Sequence, residues 1–288
     1  MKFIFALLAF LFFSSVQVNA QTNKGKAQDK GLNIVDEPEA IFYTSDSLKL
    51  KGYLCKPKGK GPFPVFMWNH DGEKEPDSSN ALAAYWVRRG YVFFKPIRSG
   101  QSDNPGEYIR NAEKQISKRR EMAQLAFRQI YALHKNANKD VIAALRWIKQ
   151  QPYADTNNIV LAGYGYGGTQ VLLTAEKDGN SPLGIKCFFA ISPVKGWGKM
   201  WGDSLIPAVE KAKRPIFLWQ ARSDGDLSIM QALAPVLEKK GFPNRSKTLQ
   251  DAPPPAESIN TLYYYSHPEA WEKDVLKYLK DCRVRGKK

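Results

Sequence analysis

Short, uninterrupted apolar runs alternate along this chain with segments of helical periodicity. The runs are PFPVFMWN, GYVFFKP, NIVLAG, IKCFFAIS and RPIFLWQA, and they lie between residues 62 and 221. A run that is apolar throughout is typical of a strand that is covered on both faces. Helices placed between such strands favour parallel pairing through crossover connections. The sequence therefore predicts an α/β fold with a mostly parallel central sheet flanked by helices.

The stretch AIFYTSDSLKLKGYLCKP, residues 40–57, instead alternates apolar and polar residues, and Asp46 and Ser47 interrupt the alternation. This pattern predicts an antiparallel hairpin at one edge of the sheet. Helical spacing predicts helices over 79–89, 111–135, 140–150, 200–211, 229–240 and 270–279, with another running from the glycine-rich turn near residue 165 to residue 175. A weak strand is predicted over 246–251.

The first twenty residues combine one lysine, an apolar centre and a Val-x-Ala ending at Ala20. These features predict a secretory signal peptide that is cleaved after Ala20. We therefore divide the chain into a signal peptide (1–20), a polar flexible leader (21–37), a single α/β domain (38–283) and a basic tail (284–288). We expect a secreted or periplasmic protein without stable membrane insertion, because no later stretch is apolar over enough residues to span a bilayer.

Charge and cysteine content argue against several other classes of protein. The formal net charge is +15, but the basic residues are spread widely and the aromatic residues lie inside apolar runs, so we expect no nucleic-acid partner. Cys55, Cys187 and Cys282 lie far apart and form no C-x-x-C pair. A metal site is therefore not indicated, and at most one disulfide can form. We expect no cofactor.

The stretch IVLAGYGYGGTQVLL, residues 159–173, allows two interpretations. Its glycines at 163, 165 and 168 spell the G-x-G-x-x-G turn that binds dinucleotides. That turn requires a carboxylate about 20 residues later, at the end of the next strand. The next predicted strand ends in Ser192 and Pro193 instead. The second interpretation is a nucleophile elbow, G-x-S-x-G, in which Gly165 stands at the position of the serine.

Motifs outside this turn favour the second interpretation. They are PFPVFMWNHDGEKEP, RGYVFFKPIRSGQSDNPGEY, DVIAALRWIKQQPYAD, IVLAGYGYGG, PIFLWQARSDGDLS and HPEAWEKDVLKYL. Together they resemble the dienelactone hydrolase-like branch of the α/β-hydrolase fold, which is related to the catalytic domains of prolyl oligopeptidases, from about residue 48 to 279. The resemblance implies an α/β-hydrolase domain whose relatives transfer an acyl group to water through a nucleophile, an acid and a histidine.

The resemblance also implies roles for individual residues. Asp224 follows the strand PIFLWQA at the position of the catalytic acid, with Asp226 as the fallback. His267 lies in the region of the catalytic histidine, although the family register places Thr261 there. Gly165 leaves the nucleophile position without a reactive side chain.

The loop that binds the oxyanion in this family departs from the family pattern as well. His70 matches a structural histidine of this loop, but Asp71 stands where glycine is usual. A carboxylate there would oppose a developing negative charge unless it points away. The resemblance further implies a pocket lined by Asn69, His70, Tyr164, Tyr166, Arg98 and Asp224. Arg98 would either attract a ligand carboxylate or form a structural salt bridge.

Because nucleophile, base and oxyanion loop all depart from the pattern, the sequence predicts an exported pseudo-hydrolase. It would retain a pocket for a small ester-, lactone- or peptide-like ligand. One alternative is an active esterase or lactonase with a non-standard nucleophile, or with a water held beside Gly165 by Asp224 and His267. Another alternative is an envelope protein that binds a partner through the charged segment 110–128. His134, near a polar helix end, is expected at the surface.

Overall fold

Eight strands form one mixed sheet in the computed structural model, which describes residues 37–118, 122–193, 197–221, 226–241, 245–249 and 272–286. In chain order the strands are β1 (Glu39–Ser45), β2 (Leu48–Cys55), β3 (Phe63–Asn69), β4 (Val92–Pro96), β5 (Ala154–Tyr164), β6 (Ile185–Ile191), β7 (Ile216–Ala221) and β8 (Arg245–Leu249). Their spatial order is β1-β2-β4-β3-β5-β6-β7-β8. The pairs β1/β2 and β2/β4 are antiparallel, and the pairs from β4 to β8 are parallel. The predicted architecture, including the N-terminal hairpin, is confirmed.

Helices cover both faces of this sheet. They are α1 (Asn80–Arg88), α2 (Ile109–Ser117), α3 (Ala123–Ile148), α4 (Tyr166–Asn180), α5 (Lys199–Lys211), α6 (Ser228–Lys239) and α7 (Glu272–Asp281). The prediction of separate helices over 111–135 and 140–150 was wrong, because α3 runs through the intervening residues. There the side chain of Asn138 donates hydrogen bonds to Gln170 and Thr174 of α4, so the polar stretch is anchored to a neighbouring helix.

The central strands alternate their side chains between two cores. Along β3, Val65 and Met67 pack into the core that α3 to α6 cover. Phe66 and Trp68 pack into the second core, beneath α1 and α7. All seven residues of β3 are buried, which is the physical reason that this strand is apolar throughout. Because β3 and β5 are parallel neighbours, with Asn69 opposite Gly163, their carboxyl ends lie side by side at one edge of the sheet.

The first residue that the structure describes is residue 37. The expected signal peptide (1–20) and almost all of the expected leader (21–37) lie outside the described residues. Every described residue falls within one compact unit, Val35–Lys288. None of the helices in the described ranges is long and apolar enough to cross a membrane.

Candidate active site

The turn between β5 and α4 has the geometry of a nucleophile elbow, in which a strand bends sharply into a helix. Gly165 forms its apex, with φ 56° and ψ −119°. This left-handed backbone is strained for residues with a side chain and is readily adopted by glycine. The N–H of Gly165 donates to the carbonyl of Ile191 at 3.0 Å, and its carbonyl accepts from the N–H of Thr169 at 3.1 Å. The elbow is thus fixed by β6 on one side and by α4 on the other.

Close packing against β3 explains a second glycine of the turn. A Cβ at Gly167 would overlap the carbonyl oxygen of Asn69. The first turn of α4 therefore lies directly against the end of β3, where the oxyanion loop begins. This approach brings Asp71, two residues beyond β3, within hydrogen-bonding distance of the elbow.

Asp71 points into the elbow. Its Oδ1 accepts a hydrogen bond from the backbone N–H of Tyr166 at 2.7 Å. A Cβ built on Gly165 would overlap this oxygen and would lie 2.5 Å from Cγ of the same carboxylate. The carboxylate thus occupies the space that the first atom of a side chain at residue 165 would need. The position is favourable for an anion, because unpaired N–H groups and a partial positive charge meet at the start of a helix.

The hydrogen bond between Asp71 and Tyr166 involves a backbone N–H that has a defined catalytic role in α/β-hydrolases. The N–H of the residue after the nucleophile is one of the two donors that stabilise the oxyanion in α/β-hydrolases. In this chain that N–H belongs to Tyr166, and it is already bonded to a carboxylate. The space beside Gly165 that could have held an activated water is filled by Asp71.

Arg98 fixes the loop that carries Asp71. Its Nη2 donates to the backbone carbonyl of Asp71 at 2.5 Å and lies 3.2 Å from Nδ1 of His70. Its guanidinium carbon lies 4.4 Å from the centre of the Tyr166 ring. With only 3% of its surface exposed, Arg98 supports the loop from inside the protein. The side chain of Gln101 also donates to the loop, at the carbonyl of Glu73, over 2.6 Å.

His70 is fully buried and neutral. Because Arg98 carries only donors, Nδ1 of His70 acts as the acceptor and the proton of the neutral ring resides on Nε2. Burial, together with the nearby charge of Arg98, lowers the pKa of His70 to about 3. A neutral imidazole held in this way supports the loop.

His134 is fully buried, and the expectation that it lies at the surface was wrong. Its Nε2 lies 2.5 Å from Oε1 of Glu113, whose Oε2 accepts from Arg110 at 3.0 Å. Its ring centre lies 4.4 Å from that of Tyr166, and burial lowers its pKa. Helical spacing from Phe127 and Ile130 was the signal that could have placed this histidine on the inner face of α3.

The other side chains assigned to the pocket are also buried. Tyr164 is 5% exposed and packs into the second core, whereas Tyr166 is 1% exposed and packs into the first. Asn69 has no exposed surface, and its amide donates to the carbonyl of Ala162 at 3.1 Å.

The acid and the histidine assigned from the resemblance cannot be placed in the same way. Asp224, His267 and Thr261 lie outside the described residues. The fallback acid, Asp226, accepts hydrogen bonds from the N–H and the hydroxyl of Ser228 at 3.0 and 2.6 Å, in the turn that leads into α6. Within the described ranges, no group of three or more His, Cys, Asp or Glu side chains could hold a metal ion.

Comparison with known proteins supports the fold and the family. The profile of the prolyl oligopeptidase family, Peptidase_S9, matches residues 79–215, a segment that includes the elbow. No match is found among curated protein sequences.

Solved structures with the same fold include esterases and peptidases. A candidate dienelactone hydrolase from Klebsiella pneumoniae aligns with a TM-score of 0.62 and 13% identity, over 87% of this chain and 99% of that one. An acylaminoacyl peptidase from Pyrococcus horikoshii aligns with a TM-score of 0.59 and 17% identity, over 88% of this chain and 43% of that one. Esterase 2 from Thermogutta terrifontis aligns with a TM-score of 0.59 and 14% identity, over 89% of this chain and 98% of that one. The profile match over residues 79–215 and the solved structures show that this chain has the α/β-hydrolase fold and resembles the prolyl oligopeptidase family.

Proposed function

We propose that this chain is an exported pseudo-hydrolase, which keeps the α/β-hydrolase fold but forms no acyl-enzyme. The observation that carries the proposal is the contact between the elbow and Asp71. At the apex, Gly165 has no atom that can attack a carbonyl carbon. The Asp71 carboxylate fills the space beside Gly165 and accepts a hydrogen bond from the N–H of Tyr166.

Two separate steps of acyl transfer would be impaired by this arrangement. Without a serine or cysteine, no covalent intermediate can form at the elbow. A carboxylate at the oxyanion donor would repel the negative charge that develops on the substrate oxygen, and loss of one such donor typically costs about 10²–10³ in kcat. The esterase and peptidase names of the structural neighbours therefore do not extend to this chain. Export is proposed from the signal-like residues 1–20, and an N-terminus at Gln21 in the secreted or periplasmic fraction would support it.

The proposal can be tested by covalent labelling and by hydrolysis. The purified native chain is treated with a fluorophosphonate probe and, separately, with p-nitrophenyl acetate. We expect no labelled side chain and no hydrolysis above a heat-denatured control. A covalent adduct on a side chain that lines the elbow would overturn the proposal, as would hydrolysis that persists through repeated purification.

Paired variants separate the two impairments. In Gly165→Ser the new side chain competes with the Asp71 carboxylate for the same space, so we expect little labelling. In the double variant Gly165→Ser/Asp71→Ala the hydroxyl has room and the N–H of Tyr166 is released, so the labelling rate should rise at least about tenfold. Equal and measurable labelling of the single and double variants would show that Asp71 does not block the site, whereas no labelling of either would point to the absence of a base.

A further inference from the structure

Arg98 and Tyr166 each carry a buried polar atom that the fold does not satisfy. Among the described residues, Nη1 of Arg98 and Oη of Tyr166 have no hydrogen-bond partner. Their residues are 3% and 1% exposed. The second terminal nitrogen of Arg98, Nη2, is not available in the same way, because it donates a hydrogen bond to the carbonyl of Asp71. Buried polar groups are nearly always paired in folded proteins, so two neighbouring exceptions require an explanation.

Both residues line one cleft, which lies between the start of α4, the loop after β4, α2 and α3. Its volume is about 230 Å³, comparable to the share of roughly eight water molecules in the liquid. Apolar side chains form much of its wall, namely Leu48, Ile109, Ala112 and Leu133. These wall residues are half-buried, whereas Arg98 and Tyr166 are almost fully covered. The cleft is thus partly open to solvent, and the two unsatisfied atoms of Arg98 and Tyr166 are covered, with no surface accessible to water.

The chemistry of this pair selects a class of ligand. A guanidinium has only donors and carries a permanent positive charge. The phenol of Tyr166 stays protonated, because burial raises its pKa far above the ordinary value, so it too can donate. Two adjacent donors, one of them cationic, match the two acceptor oxygens of a carboxylate. Apolar walls suit a short aliphatic or aromatic tail.

We propose that this cleft binds a small monocarboxylic acid of roughly eight to ten nonhydrogen atoms, whose entry shifts the inner wall so that its carboxylate reaches Arg98 and Tyr166 while its tail lies between α2 and α3. The charges at the opening do not oppose entry. Lys139 and Glu107 both line the cleft, so they offset one another, and Lys139 also pairs with Asp46 at 2.9 Å. The site lies behind the elbow and does not rest on the absence of hydrolysis.

Binding can be measured with benzoate and hexanoate, using benzamide and hexanamide as neutral controls of the same shape. We expect both acids at millimolar concentration to raise the Tm of the native protein and to give saturable calorimetric titrations, and the amides to bind at least tenfold more weakly. Equal binding of acids and amides would overturn the carboxylate assignment. Absence of a saturable response to either acid would overturn the site.

Two variants locate the binding. Tyr166→Phe removes one donor and keeps the ring, and we expect affinity for benzoate to fall about fivefold to tenfold. Ala112→Trp fills the cleft from α2 without touching the polar pair, and we expect it to abolish binding. Far-UV circular dichroism and Tm establish that each variant is folded. Unchanged affinity in a folded Ala112→Trp protein would place the acid elsewhere and refute the proposal. Fluorophosphonate labelling of the same preparations reports separately on the elbow, so the two proposals can fail independently.

Discussion

At the scale of single residues, the pairing of Gly165 with Asp71 is the central feature of the candidate site. Each residue is unusual for the family that the chain resembles, and the structure shows that they fit one another. A glycine at the apex leaves the space that the carboxylate occupies, and the carboxylate caps the N-terminus of α4 through Tyr166. The sequence predicts both departures separately but does not connect them, because they are 94 residues apart in the chain.

A double-mutant cycle measures this coupling. Gly165→Ala introduces a Cβ at positive φ and against the carboxylate, so it should lower the free energy of unfolding by about 1–3 kcal/mol. Asp71→Ala removes a helix cap and should cost about 1 kcal/mol. The double variant should lose at least ~1 kcal/mol less than the sum, because the overlap is gone. Urea denaturation gives all four values, and strict additivity would mean that the two side chains do not compete for space.

The buried histidines should make folding stability depend on pH. Burial lowers the pKa of His70 in the folded chain to about 3, whereas its pKa in the unfolded chain has the ordinary value near 6.5. Between these two pH values the unfolded chain therefore binds a proton at His70 and the folded chain does not. Stability is therefore full above about pH 6.5 and falls as the pH drops toward 3, by up to about 1.4 kcal/mol per pH unit. Burial also lowers the pKa of His134.

The contribution of His70 is checked by repeating the denaturation at pH 7 and pH 5. His70→Asn keeps an acceptor for Arg98 but does not titrate, so the loss of stability between the two pH values should be smaller than in the native chain. An identical loss in both proteins would show that His70 is not responsible.

At the scale of elements, the sequence predicted strands more accurately than helices. The run PFPVFMWN is apolar because β3 is covered on both faces, so that burial could be inferred without the structure. The course of α3 depends instead on the contact between Asn138 and α4, which no local pattern reveals. In the same way, the buried position of His134 depends on Glu113 in another helix. Asp71 and His70 were expected to lie near the elbow, but the hydrogen bond to Tyr166 depends on how closely α4 approaches β3.

The docking of α2 can be tested at this scale. Nine residues make a helix too short to be stable alone. Glu113 links α2 to His134 of α3 and also pairs with Arg110 within α2. Glu113→Ala should therefore raise amide hydrogen exchange in α2 at least about tenfold, whereas exchange in β5 stays slow. Lys114→Ala, at an exposed position of the same helix, is the matched control. Equal exchange in the two variants would show that the Glu113 contacts do not hold α2.

At the scale of the whole molecule, one sheet separates two cores, and α7 covers part of the second. The hydroxyl of Tyr278 on α7 lies 2.7 Å from the carbonyl of Pro215 and 3.0 Å from that of Phe188. Cys187 of β6 and Cys282, just after α7, are buried in the same core. The C-terminal part of the chain is thus integrated into the folding unit.

Tyr278→Phe should consequently destabilise the whole molecule. It removes a buried donor without changing the ring, and we expect the free energy of unfolding to fall by about 1–2 kcal/mol, with a lower urea midpoint and an unchanged m-value. Lys277→Ala, an exposed neighbour, should have little effect. Local loss of α7 alone, with an unchanged midpoint for the sheet, would contradict the view that both cores unfold together.

The fit between Gly165 and Asp71 also has a consequence for descent. If the chain is the pseudo-hydrolase proposed above, a serine placed at the apex while the aspartate remains should be crowded and unreactive, and replacing the aspartate first should weaken the helix without providing a nucleophile. Neither substitution alone should then favour hydrolysis, so catalysis would require both changes together. Under the proposed function, such a pair would leave the chain able to acquire ligands while making hydrolysis hard to gain by single substitutions.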